Sequence, residues 1–247
     1  MELKQKLIDK IPLYFAKSKE NLAVVIIYHG FLSSSMRQEE RTGIISSFYN
    51  AGFSVLAVDA VKHGQREDAA IFNEQEYYQK EREIFYIVED SGLEIEKIIE
   101  FIDENLEGKK KKIYCAGISM GGLISAIAVS HERVEGAIIM ASTLKFQKFA
   151  EERLAREGEK IEKKDSDFIS SIEPLKNSKI YSKNLFLAYG ECDEVVMPEI
   201  SIEGYEEVKS KQSGKNVEIK RYSGGHTDNQ EMIDDGIAWL KQLVCKG

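Results

Sequence analysis

The chain has 247 residues, of which 43% are apolar and 31% charged, with three cysteines and a net charge of −8. These values exclude a disordered or collagen-like chain and a disulfide framework, and a chain this long closes a core without a metal. The acidic balance, 34 basic against 42 acidic residues, repels nucleic acid and anionic lipid, so neither is expected as a partner. No apolar run approaches a membrane span, and Met1 to Lys6 carries no apolar leader, so no signal peptide and no membrane segment are expected. Cys115, Cys192 and Cys245 are widely spaced, which suits reduced thiols in a cytoplasm.

In chain order, Ile11, Leu13 and Phe15 alternate with other positions and predict a strand. Ser18 to Asn21 reads as a turn. Leu22 to Tyr28 is a continuous apolar run, as in a strand covered on both faces. Arg41 to Ala51 predicts a helix stopped by Gly52. Phe53 to Val58 is the next strand, and Asp59 to Glu83 is a long polar and aromatic stretch. Apolar residues from Ile84 to Leu106 recur at helical spacing and predict one long helix. Lys112 to Gly117 is a strand and Met120 to Ser130 a helix of small residues. Val134 to Ala141, Asn184 to Tyr189 and Asn216 to Tyr222 are three further strands. Met232 to Val244 marks a closing helix.

This alternation predicts an α/β fold: a doubly wound, mostly parallel sheet of about seven to eight strands, in a single domain over 1–247. One segment interrupts it. Between Ala141 and Asn184, Glu151 to Asp167 carries 12 charges in 17 positions, seven acidic and five basic. A solvated helical face explains such a run. A small helical lid inserted over 143–183, with Phe146, Phe149 and Leu154 beneath it, is the functional alternative.

In doubly wound sheets ligands bind beyond the carboxyl ends of the strands, so the residues just after each strand carry the functional reading. After the strand ending near Cys115 comes Gly117-Ile-Ser119-Met-Gly121, the G-x-S-x-G turn from strand to helix. A side chain at either glycine would collide across so sharp a turn, and Ser119 is exposed at a helix N-terminus, where developing negative charge is favoured. After Tyr28 comes His29-Gly30-Phe31. The backbone N–H groups of Phe31 and Met120 are expected to form an oxyanion hole, and His29 to orient the loop. After Tyr189 comes Gly190-Glu191-Cys192-Asp193-Glu194. Asp193 is the expected acid, with Glu191 and Glu194 as rivals. After Tyr222 comes Gly224-Gly225-His226, and His226 is the expected general base.

The order Ser119, Asp193, His226 is that of the α/β-hydrolases, and the chain resembles that superfamily from end to end. Within it the chain is similar to small bacterial carboxylesterases of the dienelactone-hydrolase and prolyl-oligopeptidase branch. The matching pieces are His29-Gly-Phe with Ser33-Ser-Ser, Asp59 with His63-Gly64, the Gly117 turn, Gly190 with Asp193, and Gly225-His226. The resemblance implies structural roles for Asp59, His63 and Arg66 near the pocket wall. The departures are a serine where dienelactone hydrolases carry cysteine, no room for the peptidases' propeller, and Pro198 one residue late after the acid.

The expected activity is a serine hydrolase that cleaves a small carboxylic ester through an acyl-enzyme, without cofactor or metal. His29, Met36, Tyr77, Phe146 and Phe149 are expected to contact substrate, with Phe72 and Tyr78 beside them. The alternatives are an acyl-thioesterase, a short-peptide or amide hydrolase, and a non-catalytic ligand-binding module on the same fold. An acid limb near the free histidine value, about 6.5, is expected in kcat/KM. Neither the natural substrate nor the oligomeric state is legible.

Overall fold

A computed structural model of the chain describes residues 1–73, 77–226 and 229–245, with the side chains of 72, 73 and 77–79 also left outside the description. Eight strands form one sheet: β1 (Lys4–Ile8), β2 (Ile11–Ala16), β3 (Val24–Tyr28), β4 (Ser54–Val58), β5 (Ile113–Ile118), β6 (Val134–Met140), β7 (Asn184–Gly190) and β8 (Val217–Tyr222). Their spatial order is β1-β2-β4-β3-β5-β6-β7-β8. The β1–β2 and β2–β4 pairs are antiparallel and the other five are parallel.

The central strands read as apolar runs because both faces are covered. Val24, Ile26 and Tyr28 of β3 enter one core while Val25 and Ile27 enter the other. β5 divides likewise, with Ile113 and Cys115 against Tyr114, Ala116 and Ile118. Burial pushes the Cys115 thiol well up, so it behaves as a small apolar filler.

The helices follow in chain order: α1 (Ser35–Thr42), α2 (Ile44–Asn50), α3 (Ala69–Asn73), α4 (Tyr77–Leu93), α5 (Ile95–Asn105), α6 (Met120–Ala128), α7 (Phe146–Arg156), α8 (Lys163–Ser171), α9 (Pro198–Lys211) and α10 (Gln230–Cys245). α2 and α10 cover one face with Ile44, Phe48, Ile233 and Trp239. α4, α5 and α6 cover the other with Phe85, Val88, Ile98, Leu123 and Ile124. Among the described residues no helix is long and apolar enough to cross a membrane.

The structure corrects four local expectations. The helix expected over 41–51 is two helices, because Gly43 takes φ 61° between them. The long helix expected over 84–106 breaks between Leu93 and Ile95. There the Glu94 carboxylate turns to meet Arg66 at 2.6 and 2.7 Å. β1 was not expected, since four of its five residues are exposed and carry no alternation. The helix α9 was not expected either, and Pro198 opens it at a position that needs no N–H.

Candidate active site

Ser119 closes β5 and precedes α6, and the sharpness of that turn is visible in its backbone, φ 55° and ψ −120°. A non-glycine residue with positive φ is strained and persists only where its surroundings hold it. Here the Ser119 N–H donates to the Met140 carbonyl at 2.9 Å, and its carbonyl accepts from Gly122 and Leu123. The flanking glycines are obligatory. A Cβ at Gly117 would lie 2.0 Å from the Gly121 carbonyl oxygen, and one at Gly121 would lie 2.2 Å from that of Tyr28.

Ser119 Oγ lies 2.9 Å from Nε2 of His226, and Nδ1 of His226 lies 2.8 Å from Oδ2 of Asp193. Proton placement follows from the donor inventory. A carboxylate only accepts, so Nδ1 carries the hydrogen, Nε2 is left as acceptor, and the Ser119 hydroxyl donates to it. Asp193 is itself fixed. Its Oδ1 accepts the N–H groups of Val195 and Val196, each at 2.8 Å, and its side chain is fully buried. The rivals Glu191 and Glu194 are exposed. The structure therefore brings together Ser119, Asp193 and His226 in one hydrogen-bonded row.

A cavity of about 470 Å³ opens beside this row and is lined by Ser119, Met120, His226 and the Gly30-Phe31-Leu32 loop. Met120 is the first residue of α6, where an N–H has no acceptor within the helix. Phe31 and Met120, the two residues expected to receive a developing oxyanion, both line the cavity.

The Phe31 loop is held by buried polar residues. His29 Nδ1 donates to the Gly30 carbonyl at 2.8 Å, and its Nε2 accepts the Ala60 N–H at 3.0 Å. His63 Nδ1 donates to the Val61 carbonyl at 2.9 Å, and its Nε2 accepts the Leu32 N–H at 3.0 Å. Both acceptor roles require neutral rings. Burial supplies that state, lowering the His63 pKa and taking His29 down to about 4. Asp59 accepts the Ser35 N–H at 2.8 Å through Oδ1 and that of Gln65 at 3.0 Å through Oδ2. Arg66 donates to the Asp59 and Ala60 carbonyls and grips Glu94 with both terminal nitrogens.

Of the residues expected at the substrate, Phe149 lines the cavity. Three others do not. His29 is buried beneath the loop with both ring nitrogens on backbone groups. Met36 packs against the core on the α2 and α10 face. Phe146 is fully buried, its ring 5.9 Å from that of Phe85. The side chain of Tyr77, with those of Phe72 and Tyr78, lies outside the description.

Several lining residues were missed. Ser142, Val195 and Val196 line the cavity, and all three sit just past strand ends, where the strand-end rule alone points. Glu81 and Arg153, which form an ion pair across the cavity wall, are 72 positions apart and carry no joint signal in the sequence. Among the described residues no group of three or more His, Cys, Asp or Glu side chains is gathered as a metal site needs.

The sheet order, the helices on both its faces and the strand-end turn at Ser119 define an α/β hydrolase. Residues 19–170, more than half of the chain, match the family described as Hydrolase_4, serine aminopeptidase S33, and the chain belongs to that family. Hydrolase activity of the serine type goes with this membership. No curated protein matches the chain in sequence. Among solved structures, TT1662 from Thermus thermophilus superposes with a TM-score of 0.78 at 16% identity, covering 99% of both chains. An esterase from Pyrococcus furiosus gives 0.63 at 20% identity, covering 98% of this chain and 90% of that one. An acylaminoacyl peptidase from Pyrococcus horikoshii gives 0.65 at 18% identity, covering 97% of this chain and 40% of the longer one. Likeness at these identities establishes the fold.

Proposed function

We propose that the protein cleaves a small carboxylic ester, with Ser119 as nucleophile, His226 as general base and Asp193 as the group that orients the imidazole. The observation that carries this reading is the unbroken row of hydrogen bonds, Ser119 Oγ to His226 at 2.9 Å and His226 to Asp193 at 2.8 Å, on the wall of a cavity. His226 Nε2 takes the hydroxyl proton as Oγ attacks the acyl carbon, and Asp193 stabilises the imidazolium that forms. The N–H groups of Phe31 and Met120 receive the oxyanion. Collapse expels the alcohol with the proton from His226, and water then hydrolyses the acyl-enzyme by the same steps. Phe149 and Arg153 of α7 contribute to the cavity wall, which supports reading 143–183 as a small lid. The cavity, about 470 Å³, suits a small substrate, because ligand pockets begin at roughly 300 Å³.

The test is hydrolysis of p-nitrophenyl esters from acetate to decanoate by the wild type and Ser119→Ala, alongside labelling by a fluorophosphonate. Turnover that peaks at short acyl chains and vanishes with the variant is the expected result. Rates that climb steadily to decanoate sink the small-ester reading. Neither turnover nor labelling sinks the hydrolase reading and leaves a binding module. A second reading, amide hydrolysis, is favoured by the aminopeptidase description of the family and by the Pyrococcus horikoshii relative. An aminoacyl p-nitroanilide cleaved faster than the matched ester would replace the first reading with the second.

A further inference from the structure

The cavity beside Ser119 shares a wall with a second, smaller hollow. On α4, Ile84 lines the cavity and Phe85 the hollow. On α7, Phe149 and Arg153 line the cavity, and Ala150 and Leu154 the hollow. Each of these pairs is one step along a helix, and adjacent helical positions face different ways. The seam between α4 and α7 is therefore a partition, with the reacting groups on one side only. On the far side Ile161 and Ile169 close the hollow, which has room of about 10 Å³ against about 470 Å³ in the cavity. Two contacts seal the seam. The Phe85 and Phe149 rings meet at 6.1 Å, and the Glu81 carboxylate pairs with the Arg153 guanidinium. Among the described residues Glu81 is the one that lines both spaces, and it is 4% exposed, so its side chain lies within the wall.

An ion pair in that place acts as a stop. An aliphatic chain gains about fourfold in affinity for each methylene it buries against an apolar wall, and Ile84, Leu123 and Phe149 provide such a wall. A chain that runs on to Glu81 and Arg153 meets a carboxylate and a guanidinium already bonded to each other. It cannot push between them, because parting a buried pair leaves charges uncompensated. We propose that the Glu81–Arg153 pair is specificity-determining: it ends the cavity and sets the longest aliphatic chain that the protein accepts. The proposal rests on the serine-hydrolase reading of the same cavity and supplies the reason that its substrate is small.

The experiment combines Glu81→Ala with Arg153→Ala, which removes both charges together and joins the hollow to the cavity. Two ester series are followed by acid release. p-Nitrophenyl esters from acetate to decanoate lengthen the acyl part, and n-alkyl acetates from ethyl to octyl lengthen the alcohol part. In one of the two series the optimum should move about two carbons toward longer chains. The ratio of kcat/KM at the new optimum to that at the old should rise at least about 10-fold over wild type, as two newly buried methylenes predict. Glu81→Val with Arg153→Leu is a milder opening, and apolar replacement of a whole buried pair is often neutral for folding. It should move the same ratio about fourfold, as one methylene predicts. Leu154→Ala enlarges the hollow behind an intact pair and should leave both profiles where they are. Double variants that lower the rate alike at every chain length mark a merely structural role and overturn the proposal. So do unchanged profiles in the double variants, or a shift toward longer chains with Leu154→Ala alone. Fluorophosphonate labelling of Ser119 without turnover of either series overturns the proposal and leaves the hydrolase reading standing. Absence of labelling removes both.

Discussion

The loop after β3 and the loop after β8 each bring a histidine close to the cavity, and the two rings meet opposite kinds of partner. His29 is bonded at both nitrogens to backbone groups, at 2.8 and 3.0 Å, and is buried. His226 lies between a carboxylate and a hydroxyl, at 2.8 and 2.9 Å, and keeps 23% of its side chain exposed. A backbone carbonyl and a backbone N–H neither gain nor lose protons, so a ring held by them is locked in one tautomer and acts as a strut. A ring between Asp193 and Ser119 can take a proton and give it back. The difference lies in the partners and the burial; the residue type is the same. A histidine beside a cavity therefore does not identify a base until both ring nitrogens have been accounted for.

The comparison is broken most severely at the hydroxyl. Ser119→Ala removes the proposed nucleophile and should lower kcat on p-nitrophenyl acetate by about 10⁴- to 10⁶-fold while the melting temperature stays near that of the wild type. Retained turnover at wild-type rate would detach the strained turn from the chemistry. Asp193→Asn should cost about 10⁴-fold in kcat, because the amide stabilises the wrong tautomer of His226. Its carbonyl oxygen still accepts from Val195 and Val196, so folding is expected to survive, which circular dichroism checks. A loss of fold with that variant would mean that Asp193 acts chiefly as a loop staple.

The strut side of the comparison is read through stability. Burial holds the His29 pKa at about 4, below the free value of about 6.5. The neutral form is thus favoured by folding, and the unfolded chain binds the proton more tightly. Stability from this residue is complete above about pH 6.5 and is lost as pH falls through about 4, to a total on the order of 3 kcal/mol. Urea unfolding of the wild type and His29→Asn at pH 7.5 and 4.5 checks it. The gap between the two proteins should narrow at the lower pH, because the variant has no ring to protonate. A gap independent of pH would show that His29 is not held neutral.

How much of this was legible followed from where the information resides. Ser119 and Asp193 each follow an apolar strand and His226 follows one in which Val217 and Ile219 alternate with charged residues, so the topology delivers all three to one edge of the sheet. Deciding between Asp193 and its glutamate neighbours needed burial, which spacing does not encode. The same limit applied to the aromatic pair in α7. Phe146 and Phe149 are three positions apart and both rings pack on Phe85, yet of the two it is Phe149 that also lines the cavity. β1 was invisible because its hairpin turns through Asp9 and Lys10, both with positive φ, 44° and 69°, and neither is a glycine that would announce the turn. The break between α4 and α5 was hidden because both helices bury isoleucines in the same core, so the apolar rhythm runs across Glu94 without a pause.

The smallest expected effect sharpens the comparison where its two sides meet. His63 is a strut like His29, but its Nε2 holds the Leu32 N–H, one residue beyond the Phe31 N–H proposed to receive the oxyanion. His63→Phe keeps a ring of similar size beside Phe31, whose own ring stands 5.3 Å away, and removes both the acceptor of the Leu32 N–H and the donor to the Val61 carbonyl. The Leu32 N–H and the Val61 carbonyl then each lose a hydrogen bond whose net worth is about 1 kcal/mol, with more lost if water cannot reach them. If the loop is only a cover, that modest loss of stability is the whole effect. If the loop aims the Phe31 N–H, kcat on a short ester should also fall by about 10-fold while KM holds, since an oxyanion donor acts in the transition state and hardly in the ground state. A fall in stability with kcat unchanged would leave Met120 as the principal donor and remove Phe31 from the oxyanion hole.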